Sequence, residues 1–119
     1  MKKTVVIGAS SNPDRYSCKA IEALVSHGIE TVALGLREGT VAGVTILRKP
    51  EPGDFADTVS LYVGAQHQII WHDIILSLKP RRVIFNPGTE NPSFENLLSS
   101  KGIEIEHACT LVLLATNQY

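Results

Sequence analysis

The sequence predicts an α/β fold: a single Rossmann-like domain over residues 1–119, with a parallel sheet of about five strands and helices on both faces. Short β-branched runs alternate with helical patterns along the chain, which is the order a parallel sheet with crossover helices requires. Two of those runs are apolar at nearly every position, as strands covered on both faces are. The length of 119 residues suffices for one core and is too short for two ordinary domains.

The first predicted strand is TVVIG (4–8), and the helix after it runs from about Tyr16 to His27. Ala20, Ile21, Ala23, Leu24 and Val25 form its apolar stripe, and Gly28 stands where a left-handed C-terminal cap belongs. ETVAL (30–34) is the second strand. Residues 35–57 are punctuated by Gly and Pro, and there only VTIL hints at a minor strand. TVSLYV (58–63) is the third principal strand, followed by a helix whose stripe is Ile70, Trp71, Ile74, Ile75 and Leu78 and which Lys79-Pro80 ends. RVIF (82–85) is the fourth. The next helix opens with Asn91 as N-cap and Pro92 in its first turn, packs through Phe94, Leu97 and Leu98, and stops at Gly102. IEIEH (103–107) is the last strand, and CTLVLLA (109–115), compatible with helix or strand, is read as a closing helix.

Composition excludes several classes. With 44% hydrophobic and 19% charged residues the chain is a folding sequence rather than a disordered one. A net charge of −1, with no basic cluster beyond Lys79, Arg81 and Arg82, gives no footprint for nucleic acid or an anionic membrane. The apolar run at the start is cut short by Gly8 and polar residues, so neither a signal peptide nor a membrane span is read there, and a cytoplasmic protein is expected. Cys18 and Cys109 are far apart and lack metal-ligand spacing, which fits free thiols, and no metal site is expected.

Ligands of such folds sit beyond the C-terminal ends of the strands, where the strand order reverses. After the first strand stands Gly8-Ala9-Ser10-Ser11-Asn12-Pro13, a turn with one glycine where a dinucleotide fingerprint has three. Free N–H groups at the helix start, the Ser10 and Ser11 hydroxyls and Arg15 make a candidate anion site; the alternative is a plain turn capped by Ser or Asp14. After the second strand, the place of the carboxylate that receives a ribose diol in NAD domains is taken by Gly35-Leu36-Arg37. A guanidinium there favours a phosphorylated ribose and disfavours NAD, unless Arg37 is a solvated loop residue beside Glu38. After the fourth strand, Asn86-Pro87-Gly88-Thr89-Glu90 is expected to turn sharply and present the Asn86 side chain toward the first loop.

VIGASSNPDRYSCKAI, DTVSLYV, LKPRRVIFNPGTENPSFENLL and GIEIEHACTLVLLAT together resemble the small stand-alone CoA-binding domain proteins, related to the N-terminal domain of the succinyl-CoA synthetase alpha subunit. The likeness covers essentially the whole chain. It implies a Rossmann-like fold and binding of coenzyme A. By position it implies that Gly8, Ala9, Ser10, Ser11 and Asn12 meet the nucleotide phosphates, and that Arg37 lies near the 3′-phosphate of the adenosine. Phe85, Asn86 and Pro87 would contact CoA, with Gly88 closing the turn, and Tyr62, Val63 and Gly64 would flank the pantetheine arm.

The synthetase subunit carries its phosphorylated histidine in a second domain, which this sequence does not contain, so no residue inherits that role. His27, His67, His72 and His107 read as a helix end, two helix-surface residues and a strand end. Cys109 has no neighbouring His and carboxylate in sequence, and Glu90 is explained as well by capping as by base chemistry, so no catalytic residue is assigned. The favoured expectation is a non-catalytic module for CoA or acyl-CoA, serving a separately encoded enzyme or forming a homo-oligomer. An NADP-dependent oxidoreductase and an interaction domain without ligand are the alternatives.

Overall fold

Among the described residues seven strands, two more than expected, form one sheet in the order β3-β4-β2-β1-β5-β6-β7. In the computed structural model, which describes residues 3–119, they are β1 (Thr4–Ile7), β2 (Thr31–Leu34), β3 (Thr40–Val41), β4 (Val44–Leu47), β5 (Thr58–Leu61), β6 (Arg82–Phe85) and β7 (Glu104–His107). The first two residues of the expected 1–119 domain lie outside the described residues. All pairings are parallel except β3 with β4.

The additional strands come from the segment read as mostly loop. Ala42 and Gly43 both have positive φ, 49° and 83°, so they form a two-residue turn whose twist suits a hairpin between β3 and β4. Such turns favour Asn or Asp at the first position, and Ala42 hides the signal.

The helices are α1 (Tyr16–Ser26), α2 (Ile69–Ser77), α3 (Pro92–Ser100) and α4 (Thr110–Ala115). Alternation along the strands divides the core. Val5, Ile7, Val59, Leu61, Val83 and Phe85 pack against Trp71 and Ile75 of α2 and Phe94 and Leu98 of α3. Val6, Ala33 and Ile46 face the other way, onto Cys18, Ile21 and Leu24 of α1 and Leu114 of α4. Burying each of the Val, Leu, Ile and Phe side chains among these contributes roughly 1.5–3 kcal/mol, which is why these short strands and helices persist together. Ile70 and Leu97, assigned to apolar stripes from sequence, are instead 60% and 42% exposed. They fall at the margins of their stripes, where helical spacing alone does not separate core from rim.

Helix ends follow their chemistry. Gly28 and Gly102 take φ of 71° and 77° beyond the ends of α1 and α3. The Asn91 side chain accepts from the Phe94 N–H, with Pro92 in the first turn of α3. The closing segment is helical, as expected, and no helix among the described residues is long and apolar enough to cross a membrane.

Candidate functional site

The chain leaves β1 toward β2 on one side and β5 toward β7 on the other, so the strand order reverses between β1 and β5. A crevice opens outside the C-terminal ends of strands at such a point. Here Gly8 meets the loop after β5: with φ of 89°, its position would put a Cβ 2.9 Å from Val63 Cγ2 and 3.1 Å from the Tyr62 carbonyl. Only glycine permits both that backbone and that approach.

The loop after β1 is held by its own short-range bonds. The N–H groups of Gly8 and Ala9 both donate to the Leu34 carbonyl, at 3.0 and 2.9 Å. Ser10 Oγ accepts from the Asn12 N–H at 3.1 Å, and Asn12 Oδ1 accepts from the Asp14 N–H at 3.0 Å. These bonds shape the turn and use Ser10 Oγ and Asn12 Oδ1 as acceptors, so the hydroxyl of part-exposed Ser10 and the amide group of exposed Asn12 keep their hydrogens for donation. Neither Ser nor Asp14 caps α1: Arg15 is its N-cap, and no side chain bonds to the helix start. The first intrahelical bonds to the Arg15 carbonyl come from Cys18 and Lys19, leaving the Tyr16 and Ser17 N–H groups without an intrahelical acceptor. The positive end of α1 is thus uncapped at the strand edge.

Beside this loop, Gly35 and Gly39 let the segment after β2 lie against Ala9 and Ser11. Arg37 is exposed on that segment, and Arg48 and Lys49 are exposed just past β4. Glu38, Gly39, Thr40, Leu47 and Arg48 contribute to an open depression of about 420 Å³ there. Arg15, Arg37, Arg48 and Lys49 form no ion pair among the described residues. Lys3, Arg81 and Arg82, at the opposite edge of the sheet, are paired with Asp54, Asp57, Glu104 and Glu106.

The loop after β6 differs from the expectation at Phe85 and Asn86. Phe85 is 1% exposed and points into the core, edge-on to Phe94 and to the His107 ring. Asn86 is also 1% exposed and turns inward instead of toward the first loop. Its Nδ2 donates to Ser60 Oγ at 3.1 Å and the Leu61 carbonyl at 3.0 Å, while Oδ1 accepts from the Thr110 N–H at 2.8 Å. Three buried polar groups beneath the sheet edge, on β5 and at the start of α4, draw that side chain away from solvent. Pro87 and Gly88 remain exposed on this wall, and Gly88 has φ of 92°. Glu90 accepts from the Gly88 N–H at 3.0 Å, which stiffens the turn.

Val63 and Gly64 are part-buried between these walls. The Tyr62 hydroxyl is sealed from solvent without a hydrogen-bond partner. Burial pushes its pKa up to about 12, partly offset by the nearby hydroxyls of Thr110 and Ser60, which bond each other at 2.7 Å. Cys18 is buried, and burial raises its thiol pKa. Cys109, part-exposed, opens α4.

His27 bonds the Ala23 carbonyl at a helix end, and His107 bonds Glu95 at 2.7 Å. His72 is not the surface residue expected: it is half-buried, stacked on Phe94 with ring centroids 3.6 Å apart. Sequence reasoning also missed Gln68, which has no exposed surface and bonds the loops after both β5 and β6. A glutamine in QHQII reads as solvent-facing, and only tertiary contacts reveal it.

Residues 2–115 match the sequence model of a family described as CoA binding domain. A crystal structure of an uncharacterized protein superposes with a TM-score of 0.94 at 46% identity, over 100% of this chain and 98% of that one. Prb, a protein redesigned for binding, gives 0.86 at 19% identity over 98% and 83%. A Thermus thermophilus protein gives 0.83 at 21% over 99% and 90%. The last two likenesses show the fold alone. No curated protein matches the chain.

Proposed function

The chain belongs to the CoA-binding domain family, and from that premise we propose that it binds coenzyme A, free or as an acyl thioester, across the crevice between the loops after β1, β2, β5 and β6. The observation that carries the reading is the uncapped start of α1 together with Arg15, Arg37 and Arg48 on one sheet edge, none of them paired with a carboxylate. Coenzyme A brings a diphosphate and a ribose phosphate, and these groups suit both.

In this reading the diphosphate rests on the turn of Gly8, Ala9, Ser10, Ser11 and Asn12, receiving the free N–H groups of α1 and the side-chain hydrogens of Ser10 and Asn12. Arg15 flanks it. Arg37 reads the 3′-phosphate. The pantetheine arm runs past Val63 and Gly64 along Pro87 and Gly88, while Phe85 and Asn86 shape this wall from beneath and do not reach the ligand with their side chains. The protein acts as a binding module, holding the ligand for a separate enzyme or as a carrier, and no catalytic residue is assigned.

Calorimetric titration with CoA, dephospho-CoA and NADP tests this. CoA is expected to bind more tightly than the other two. A preference for NADP would replace the reading with a dinucleotide one, and heats indistinguishable from dilution for all three would leave an interaction domain without nucleotide.

A further inference from the structure

Gln68 is wholly buried although its neighbours His67, Ile69 and Ile70 are exposed. Its Nε2 donates to the Val63 carbonyl and, 21 residues away in sequence, to the Thr89 carbonyl, each at 2.8 Å. Two carbonyl acceptors decide which end of the amide is nitrogen. Oε1 is therefore the acceptor that faces Asn91 Nδ2 and His72 Nε2, each at 3.1 Å, and both of those groups must donate. His72 then carries its hydrogen on Nε2. Burial lowers its pKa below 6.5, and the flat stack on Phe94 holds the ring in place. Asn91 in turn caps α3 through Oδ1. Both hydrogens and both lone pairs of the Gln68 amide are thus used, joining the loop after β5 to the loop after β6 and to the start of α3.

We propose that Gln68 is a positioning residue that makes these two loops one rigid wall, so that Val63-Gly64 and Pro87-Gly88 meet the ligand in a single register. The ligand half of this inference rests on the CoA reading above. Gln68 does not touch the ligand: it removes in advance the entropy that would otherwise be lost in ordering two independent loops at binding. The close approach of the loops agrees, since a Cβ at Gly64 would stand 3.8 Å from the Gly88 carbonyl oxygen. An apolar residue of similar length leaves the Val63 and Thr89 carbonyls without their donor.

Hydrogen exchange on the ligand-free protein tests the coupling. In Gln68→Met the amides of His67 and Thr89, bonded to Gly64 and Asn86 respectively, are expected to exchange at least tenfold faster together. The Tyr62 amide, bonded to Ile7, should change less than threefold. Unchanged exchange in the loops, or acceleration in one loop alone, overturns the proposal. CoA titration of the same variant is expected to show at least a tenfold rise in Kd, and an unchanged Kd with the fold intact overturns the ligand half. Gln68→Glu gives a second arm that does not depend on the Met variant folding. A carboxylate there faces two carbonyl oxygens, and protonation restores one donor. Its CoA affinity relative to wild type should therefore recover between pH 7.5 and 5.5, which a filler of space would not do; a flat ratio counts against the proposal. Wild-type protein that fails to bind CoA overturns the proposed function, while the exchange data still decide whether Gln68 couples the loops.

Discussion

The carbonyl oxygen of Ala9 occupies the space a side chain at Gly35 would need, 2.5 Å from the position of its Cβ. The atom is backbone, so it cannot swing aside. Gly35→Ala is expected to displace the loop after β1 and cost about 1–3 kcal/mol in urea unfolding. Gly39→Ala is the comparison: its Cβ would meet Ser11 Cβ and Oγ, each at 2.9 Å; Oγ can rotate away, while Cβ moves only with the exposed Ser11 backbone, and because the approach is less close the loss should be smaller. Equal losses would show that the two loops do not press on each other as described.

Asn86→Leu keeps the volume and removes the bonds to Ser60, the Leu61 carbonyl and the Thr110 N–H. Leaving these buried groups unmet should cost at least about 2 kcal/mol, read from the urea midpoint. A loss well under about 1 kcal/mol would mean that water replaces the amide, and that the site is less sealed than its burial indicates.

Arg37→Ala is expected to weaken CoA binding by about tenfold, the effect of one charge-assisted bond at an exposed position. Affinity for dephospho-CoA should stay nearly unchanged. Equal losses for both ligands, measured by calorimetry, would show that Arg37 does not read the 3′-phosphate.

Tyr62 and Asp57 act on stability from opposite ends of the pH range. Burial holds the Tyr62 phenol up to about 12, above its unfolded value of 10.0, so the neutral form favours the folded state. That contribution is full below pH 10 and is lost as pH rises toward 12. Tyr62→Phe should flatten this alkaline decline, with no loss at pH 7, because the hydroxyl it deletes is buried without a partner. Asp57 runs the other way. Its hydrogen bonds to Arg81 hold its pKa below 3.8, so its contribution is full above that pH and is lost as pH falls through the lowered value. Arg81→Met should make the acid decline shallower, as followed by urea midpoints across pH.

The alternation of runs was enough to read the principal strands, the helices and the helix ends marked by Gly28, Asn91 and Pro92, because each rests on local chemistry. The β3–β4 hairpin escaped because Ala42 takes a left-handed conformation normally signalled by Asn or Asp. The candidate loops were legible because the fold fixes which side of the strands they stand on. The direction of the Asn86 side chain was not, since it depends on Ser60 and Thr110, residues far away in sequence. Gln68 was hidden for the same reason: a buried amide is recognised by its acceptors, and these belong to other loops.

The two outermost strands also bear on how this chain behaves at high concentration. β3 is only two residues long and turns back at once, and β7 sets Glu104 and Glu106 two apart along its length, the first bonded to Arg81 just before β6 and the second to Arg82 of β6. Neither offers the long, flat, apolar border onto which another chain adds a strand. Growth of the sheet from molecule to molecule is thereby disfavoured at both ends.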